Sequence, residues 1–187
     1  GSIHPETILG SVHLTISNLD RSVAFYRDVI GLGLLRREDE TALLTADGAT
    51  SLVVLTESPG ARPKPARATG LYHFAILVPT RLDLARSLRR LVEARYQLQG
   101  ASDHLVSEAL YLADPDGNGI EIYADRPRSA WPRINDLLQM ATEPLDLEGL
   151  LAELAQDARP REGVPLQTRI GHIHLHVADL RQAEAFY

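Results

Sequence analysis

HLVSEALYLADPDGNGIEIY, residues 104–123, reads as two antiparallel strands, over about 107–113 and 119–123, joined by a turn. The joining residues, Asp114-Pro115-Asp116-Gly117-Asn118-Gly119, concentrate side chains that fix φ, tolerate positive φ or form Asx hydrogen bonds. On the second strand Glu121 lies between Ile120 and Ile122, so period-two alternation turns its carboxylate away from the face on which those two pack. Tyr111 stands in the same relation to Leu110 and Leu112 on the first strand. A turn centred near Gly117 brings Tyr111 close to Glu121 on one face of the hairpin. A carboxylate and a phenol so placed mark a candidate site; the competing reading is an edge hairpin with its polar face in water.

Upstream, alternation predicts a strand over 71–78 and a helix over 81–95, with Leu84, Leu88 and Leu91 on one stripe. A short strand near 97–102 completes a βαβββ unit. Before it, ESPGARPKPARATG (57–70) has the composition of a linker. The chain opens with a similar pattern. Val12, Leu14 and Ile16 alternate with His13, Thr15 and Ser17; Asn18 or Asp20 can cap a helix ending at Gly31 and Gly33. Strands near 33–38, 41–46 and 51–56 follow, with a turn at Asp47-Gly48.

Laid over one another, VHLTISNLDRSVAFY (12–26) matches YHFAILVPTRLDLAR (72–86), setting His13 on His73. IHLHVADLRQAEAFY (173–187) matches the first copy again, setting His174 on His13. The expected fold class is therefore α+β. Paired βαβββ units, 8–57 and 70–124, form a curled mixed sheet around a cavity. A helical linker, 125–169, carries an amphipathic helix near 145–156, and 170–187 supplies the opening strand and helix of a third, truncated unit. The sequence stops within that helix, so a longer chain is expected. Its apolar strand is expected to pair with another sheet or another molecule, which leaves room for a homo-oligomer.

His13 and His73 hold equivalent places on the opening strands, and Glu121 faces the same way on the closing strand of the second unit. If the two units pair about a pseudo-twofold axis, the three side chains converge. Two imidazoles and one carboxylate are the facial triad expected for non-haem Fe(II), with positions left open; Mn(II) accepts the same donors. A strand histidine standing alone is ordinarily a core or surface residue, and only the repeat joins these two. His4, His172 and His176 are read as structural.

A net charge of −6 without a basic cluster argues against nucleic acid as partner. The absence of cysteine removes disulfides, thiolate metal sites and thiol nucleophiles. No apolar run reaches the length needed to span a bilayer, and no signal peptide opens the chain, so a cytoplasmic protein without a membrane partner is expected.

The paired units, SVHLTISNLDRSVAFYRDVIGLGL and LYLADPDGNGIEIYADRP resemble the vicinal oxygen chelate superfamily of glyoxalases, antibiotic-resistance proteins and extradiol dioxygenases. Within it the chain is most similar to catechol 2,3-dioxygenase-like proteins, built from four such units. The resemblance implies His13, His73 and Glu121 as metal ligands and no organic cofactor. It implies Tyr111, ten residues before the carboxylate, and His104 further upstream as catalytic groups, Tyr111 donating a hydrogen bond and His104 shuttling a proton. The family's other acid/base histidine has no counterpart in 57–70. Where glyoxalases of the superfamily carry a fourth ligand, a glutamate, this chain has Val54. The implied activity is therefore extradiol cleavage of a small aromatic diol by O₂ at Fe(II). A glyoxalase, a metal-free ligand-sequestering protein and a scaffold for a site elsewhere are the alternatives.

Overall fold

The computed structural model describes residues 4, 6–65, 67–157 and 163–187. The first unit comprises β1 (Val12–Ile16), α1 (Leu19–Phe25), β2 (Gly33–Glu38), β3 (Thr41–Thr45) and β4 (Ser51–Glu57). Asn18 caps α1, its side-chain oxygen accepting the Arg21 N–H at 2.8 Å. The helix widens into a π-helical turn over Tyr26–Ile30 and ends at Gly31, whose φ of 95° lies in the region glycine enters without a Cβ clash. The four strands form one sheet in the order β1-β4-β3-β2, with β1 parallel to β4.

The second unit repeats this order as β5 (Gly70–Leu77), α2 (Arg81–Glu93), β6 (Gly100–Asp103), β7 (Ser107–Ala113) and β8 (Gly119–Asp125). Thr80 caps α2, accepting the Asp83 N–H. Two short strands, β9 (Arg133–Ile134) and β10 (Leu137–Leu138), pair with each other, and β11 (Glu143–Pro144) adds to the edge of β6. Then come α3 (Leu147–Ala152) with a 3₁₀ turn after it, β12 (Arg169–His176) and α4 (Leu180–Phe186). No helix among the described residues is long and apolar enough to cross a membrane.

The third-unit strand pairs with another sheet, as expected, and it takes the place that a pairing of the two units about a pseudo-twofold axis would give to β1. β1 stays at the edge of its own sheet, and β12 rather than β1 runs antiparallel beside β5, giving a six-stranded order β11-β6-β7-β8-β5-β12. An edge strand presents a row of unpaired N–H and C=O groups. The opening strand of the third unit satisfies that row on β5, with Ile170 buried where the two strands begin to pair.

One hydrophobic core serves both units. Leu14, Ile16, Val53 and Leu55 of the first sheet join Phe74, Ile76, Ile120 and Ile122 of the second, with Leu84, Leu88 and Leu91 of α2 packed among them. The Asp114–Gly119 turn is held from the other unit. Tyr26 donates from its hydroxyl to Asp114 Oδ2 at 3.0 Å, and Asp116 Oδ1 accepts the Ser17 N–H at 3.1 Å. Burial, then the Asp114 charge, push the Tyr26 phenol well above its usual range. The other face of the second sheet carries the small or slender residues Ala75, Leu77 and Ala109, with Tyr123. That face holds the site.

Candidate metal centre

Three adjacent strands converge on one point. On β5, Ala75 lies opposite Glu121 of β8 on one side and opposite His172 of β12 on the other. His73, two residues before Ala75, shares its face. The register of β8, β5 and β12 therefore aims one carboxylate and two imidazoles at a common place. Glu121 Oε2 lies 2.9 Å from His73 Nε2 and 3.0 Å from His172 Nε2. The three ligand atoms are all within 4.8 Å of one another.

Glu121 and His73 are buried, whereas His172 is partly exposed. The His172 contact is a hydrogen bond; the His73 contact is as close but misaligned, which leaves His73 Nε2 buried with no hydrogen-bond partner. Such an orphan is rare in a folded protein. Two nitrogens and an anionic oxygen are also the donor set that first-row divalent ions take. The residues thus fit a metal ion. Burial by itself would raise the Glu121 carboxyl, but the bond from His172 and the nearness of His73 outweigh it and hold the carboxyl down at about 2. At neutral pH Glu121 is a carboxylate.

Tyr111 lies directly opposite Glu121 across the β7–β8 ladder. Its hydroxyl is 2.7 Å from His104 Nε2, while His104 Nδ1 is 2.7 Å from the Ala141 carbonyl. Burial, then the Glu121 charge, push the Tyr111 phenol far above its usual range, so it stays protonated. Above these groups opens a cleft of about 510 Å³, whose further walls include Tyr72, Gln99, Ser102, Met140, Thr142 and His174.

The structure thus brings together His73, Glu121, Tyr111 and His104. It sets His13 elsewhere: that residue is exposed on β1, opposite Val54 in the other sheet, and is not part of the ligand group found among the described residues. His172, read from sequence as structural, stands in the third place. A signal for it lies in the helix caps. His73 stands seven residues before the cap Thr80, and His172 seven before the cap Asp179; His13 stands five before the cap Asn18. Counted from the caps, His13 corresponds to Ala75 and His174, whereas Ser11 corresponds to His73 and His172. Matching by residue likeness alone set the first and third copies two positions out of step with the second.

A family profile described as Glyoxalase/Bleomycin resistance protein/Dioxygenase superfamily matches residues 8–122. The chain is 54% identical to a catechol-2,3-dioxygenase of Bacillus subtilis (strain 168), covering all of this chain and 65% of that protein. It is 32% identical to biphenyl-2,3-diol 1,2-dioxygenase 3 of Rhodococcus globerulus, over 60% of each. The chain thus spans less than two thirds of the length of either relative. Among solved structures, a glyoxylase/bleomycin resistance protein/dioxygenase domain from Frankia sp. EAN1pec superposes with a TM-score of 0.56 at 25% identity, over 65% of this chain and 94% of that one. The repeated βαβββ units, the profile match and the similarity to a relative along the whole of this chain agree: this chain belongs to the Glyoxalase/Bleomycin resistance protein/Dioxygenase superfamily.

Proposed function

We propose that the protein is an extradiol dioxygenase that holds one Fe(II) ion through His73, Glu121 and His172 and cleaves a catechol-like ring beside its two hydroxyls. The observation that carries this reading is the convergence of two imidazole nitrogens and a buried carboxylate oxygen at the floor of a cleft, with a hydrogen-bonded tyrosine–histidine pair beside them. The names of the two dioxygenase relatives support it. Mn(II) suits the same donors.

An ion held there would act as a Lewis acid that lowers the pKa values of a chelating diol, and three protein ligands would leave positions open for the diol and O₂. The rest is the work of the chain. Glu121 provides one fixed negative charge, so the centre keeps a net positive charge that favours an anionic diol. Tyr72 and Met140, both exposed, help line the cleft and offer a ring apolar surface. Tyr111 and His104 place a hydrogen-bonding pair next to the ligand group, at the position a diol oxygen would take.

The reading is tested by loading the chain anaerobically with Fe(II), adding catechol and following oxygen uptake with the appearance of a ring-opened semialdehyde. Uptake that depends on His73, Glu121 and His172 is expected. Stoichiometric Fe(II) binding at these residues with no uptake for any of a panel of substituted catechols would reject the reaction.

A further inference from the structure

Resting on the ligand set proposed above, we infer that Gly171 is a positioning residue of the metal centre. It is the extra residue of a β-bulge that turns His172 from the core face of β12 toward Glu121, and Tyr123 occupies the place its side chain would need.

The pairing of β12 with β5 changes register twice. Ile170 lies opposite Ile76, yet His172 lies opposite Ala75, so Gly171 is one residue too many on β12. Further along, His174 lies opposite His73 and Leu175 opposite Leu71, so Tyr72 is one too many on β5. The two bulges cancel. The stretch between them, offset by one residue from its flanks, is the one that holds both imidazole ligands.

The offset decides which way His172 points. Residues two apart share a face of an unbroken strand, and a slip of one residue exchanges the faces. Ile170 is buried with Ile76 in the core. Without the bulge Gly171 would stand opposite Ala75 and His172 opposite Phe74, with its imidazole in that same core. The extra residue instead sets His172 beside Ala75, on the face shared by Glu121 and His73. Bulges re-aim side chains in this way next to functional sites. The second bulge restores the phase, so that Leu71 again packs on the core.

Gly171 suits the place because it has no side chain. A Cβ there would fall on the Tyr123 hydroxyl and 2.7 Å from two of its ring carbons. Tyr123 is buried, opposite Ala109 on β7 and Leu77 on β5, and its ring centre lies 5.1 Å from that of His172. The phenol ring therefore packs into the bulge, next to the ligand that the bulge aims.

The test is anaerobic Co(II) titration of the whole chain, followed by the visible absorption of the bound ion. Gly171→Ala should weaken binding about 10–100-fold, and its saturated spectrum should match that of His172→Ala. In the His172→Ala background Gly171→Ala should cost nothing further, because it acts through that imidazole. Adding Tyr123→Ala to Gly171→Ala removes the clash and should restore the affinity of Tyr123→Ala alone. Wild-type binding by Gly171→Ala, an equal further loss in the His172→Ala background, or no recovery on adding Tyr123→Ala would each overturn the inference. Wild-type binding by His172→Ala itself would overturn the ligand set, and this inference with it. No turnover is involved, so failure here is distinct from failure of the ring-cleavage assay.

Discussion

The first unit runs β1 parallel to β4 and the second runs β5 parallel to β8, with the same elements between them. Their inward faces are alike, as Leu14 and Ile16 beside Val53 and Leu55 answer Ile76 and Val78 beside Ile120 and Ile122. Their outward faces are not. Where the second unit has His73, seven residues before its helix cap, the first has Ser11. Where Ala75 faces Glu121 across β5 and β8, His13 faces Val54 across β1 and β4. The first unit has no counterpart of His73 or Glu121, and no third-unit strand lies beside β1 among the described residues. A buried face is constrained by packing, so the repeat survives there. An outward face is constrained by chemistry, and a unit that supplies none can lose the ligands and keep the fold.

The largest expected effect comes from taking away the charge that distinguishes the second unit. Glu121→Gln keeps the shape and removes the anionic ligand, so Fe(II) affinity, measured by anaerobic calorimetry, should fall by more than the ~10–100-fold typical of losing an outer partner. The same variant should change the acid limb of stability in the metal-free chain. The Glu121 carboxyl sits at about 2 instead of its ordinary 4.5, so its stabilisation is fully present above about pH 5 and is lost as the pH falls toward 2. Urea unfolding of Glu121→Gln should therefore decline less steeply between pH 5 and 2 than that of wild type.

A middling effect is expected where the two units meet. Tyr26→Phe removes the hydroxyl that donates to Asp114 in the core and leaves that buried carboxylate one partner short. A loss of about 1–2 kcal/mol in urea unfolding is expected, with metal affinity unchanged. A wild-type midpoint would mean that the turn of residues 114–119 does not depend on the first unit.

The smallest effect is expected at Val54. By family resemblance a glutamate there would be a fourth ligand, but Val54 pairs with His13 and Leu43 in the other sheet. Val54→Glu should leave the metal stoichiometry and affinity as they are. A second bound ion, or tighter binding, would show that the first unit still contributes to a centre.

Much of this arrangement was legible in the residues. Alternation found the opening and closing strands, the leucine stripe found α2, and the Asp114–Gly119 turn set Tyr111 opposite Glu121. His104 beside Tyr111 came from family resemblance, and the structure places the two in contact. That the third-unit strand pairs with another sheet was legible; that it takes the edge of β5 was not. Edge pairing is a long-range choice, and the pattern of β1 offers an edge as plausible as that of β12. His172 was hidden for a related reason. It lies two residues from His174 on the same strand face, so alternation cannot separate them; only the distance to the Asp179 cap does.

The central claim is that the metal centre is shared between the second unit and the third-unit strand, with no part in it for the first unit. It is tested most directly by anaerobic Fe(II) titration of His172→Ala beside His13→Ala. The account predicts that His172→Ala loses tight binding and His13→Ala titrates as wild type; loss of binding in His13→Ala with wild-type binding in His172→Ala would contradict it.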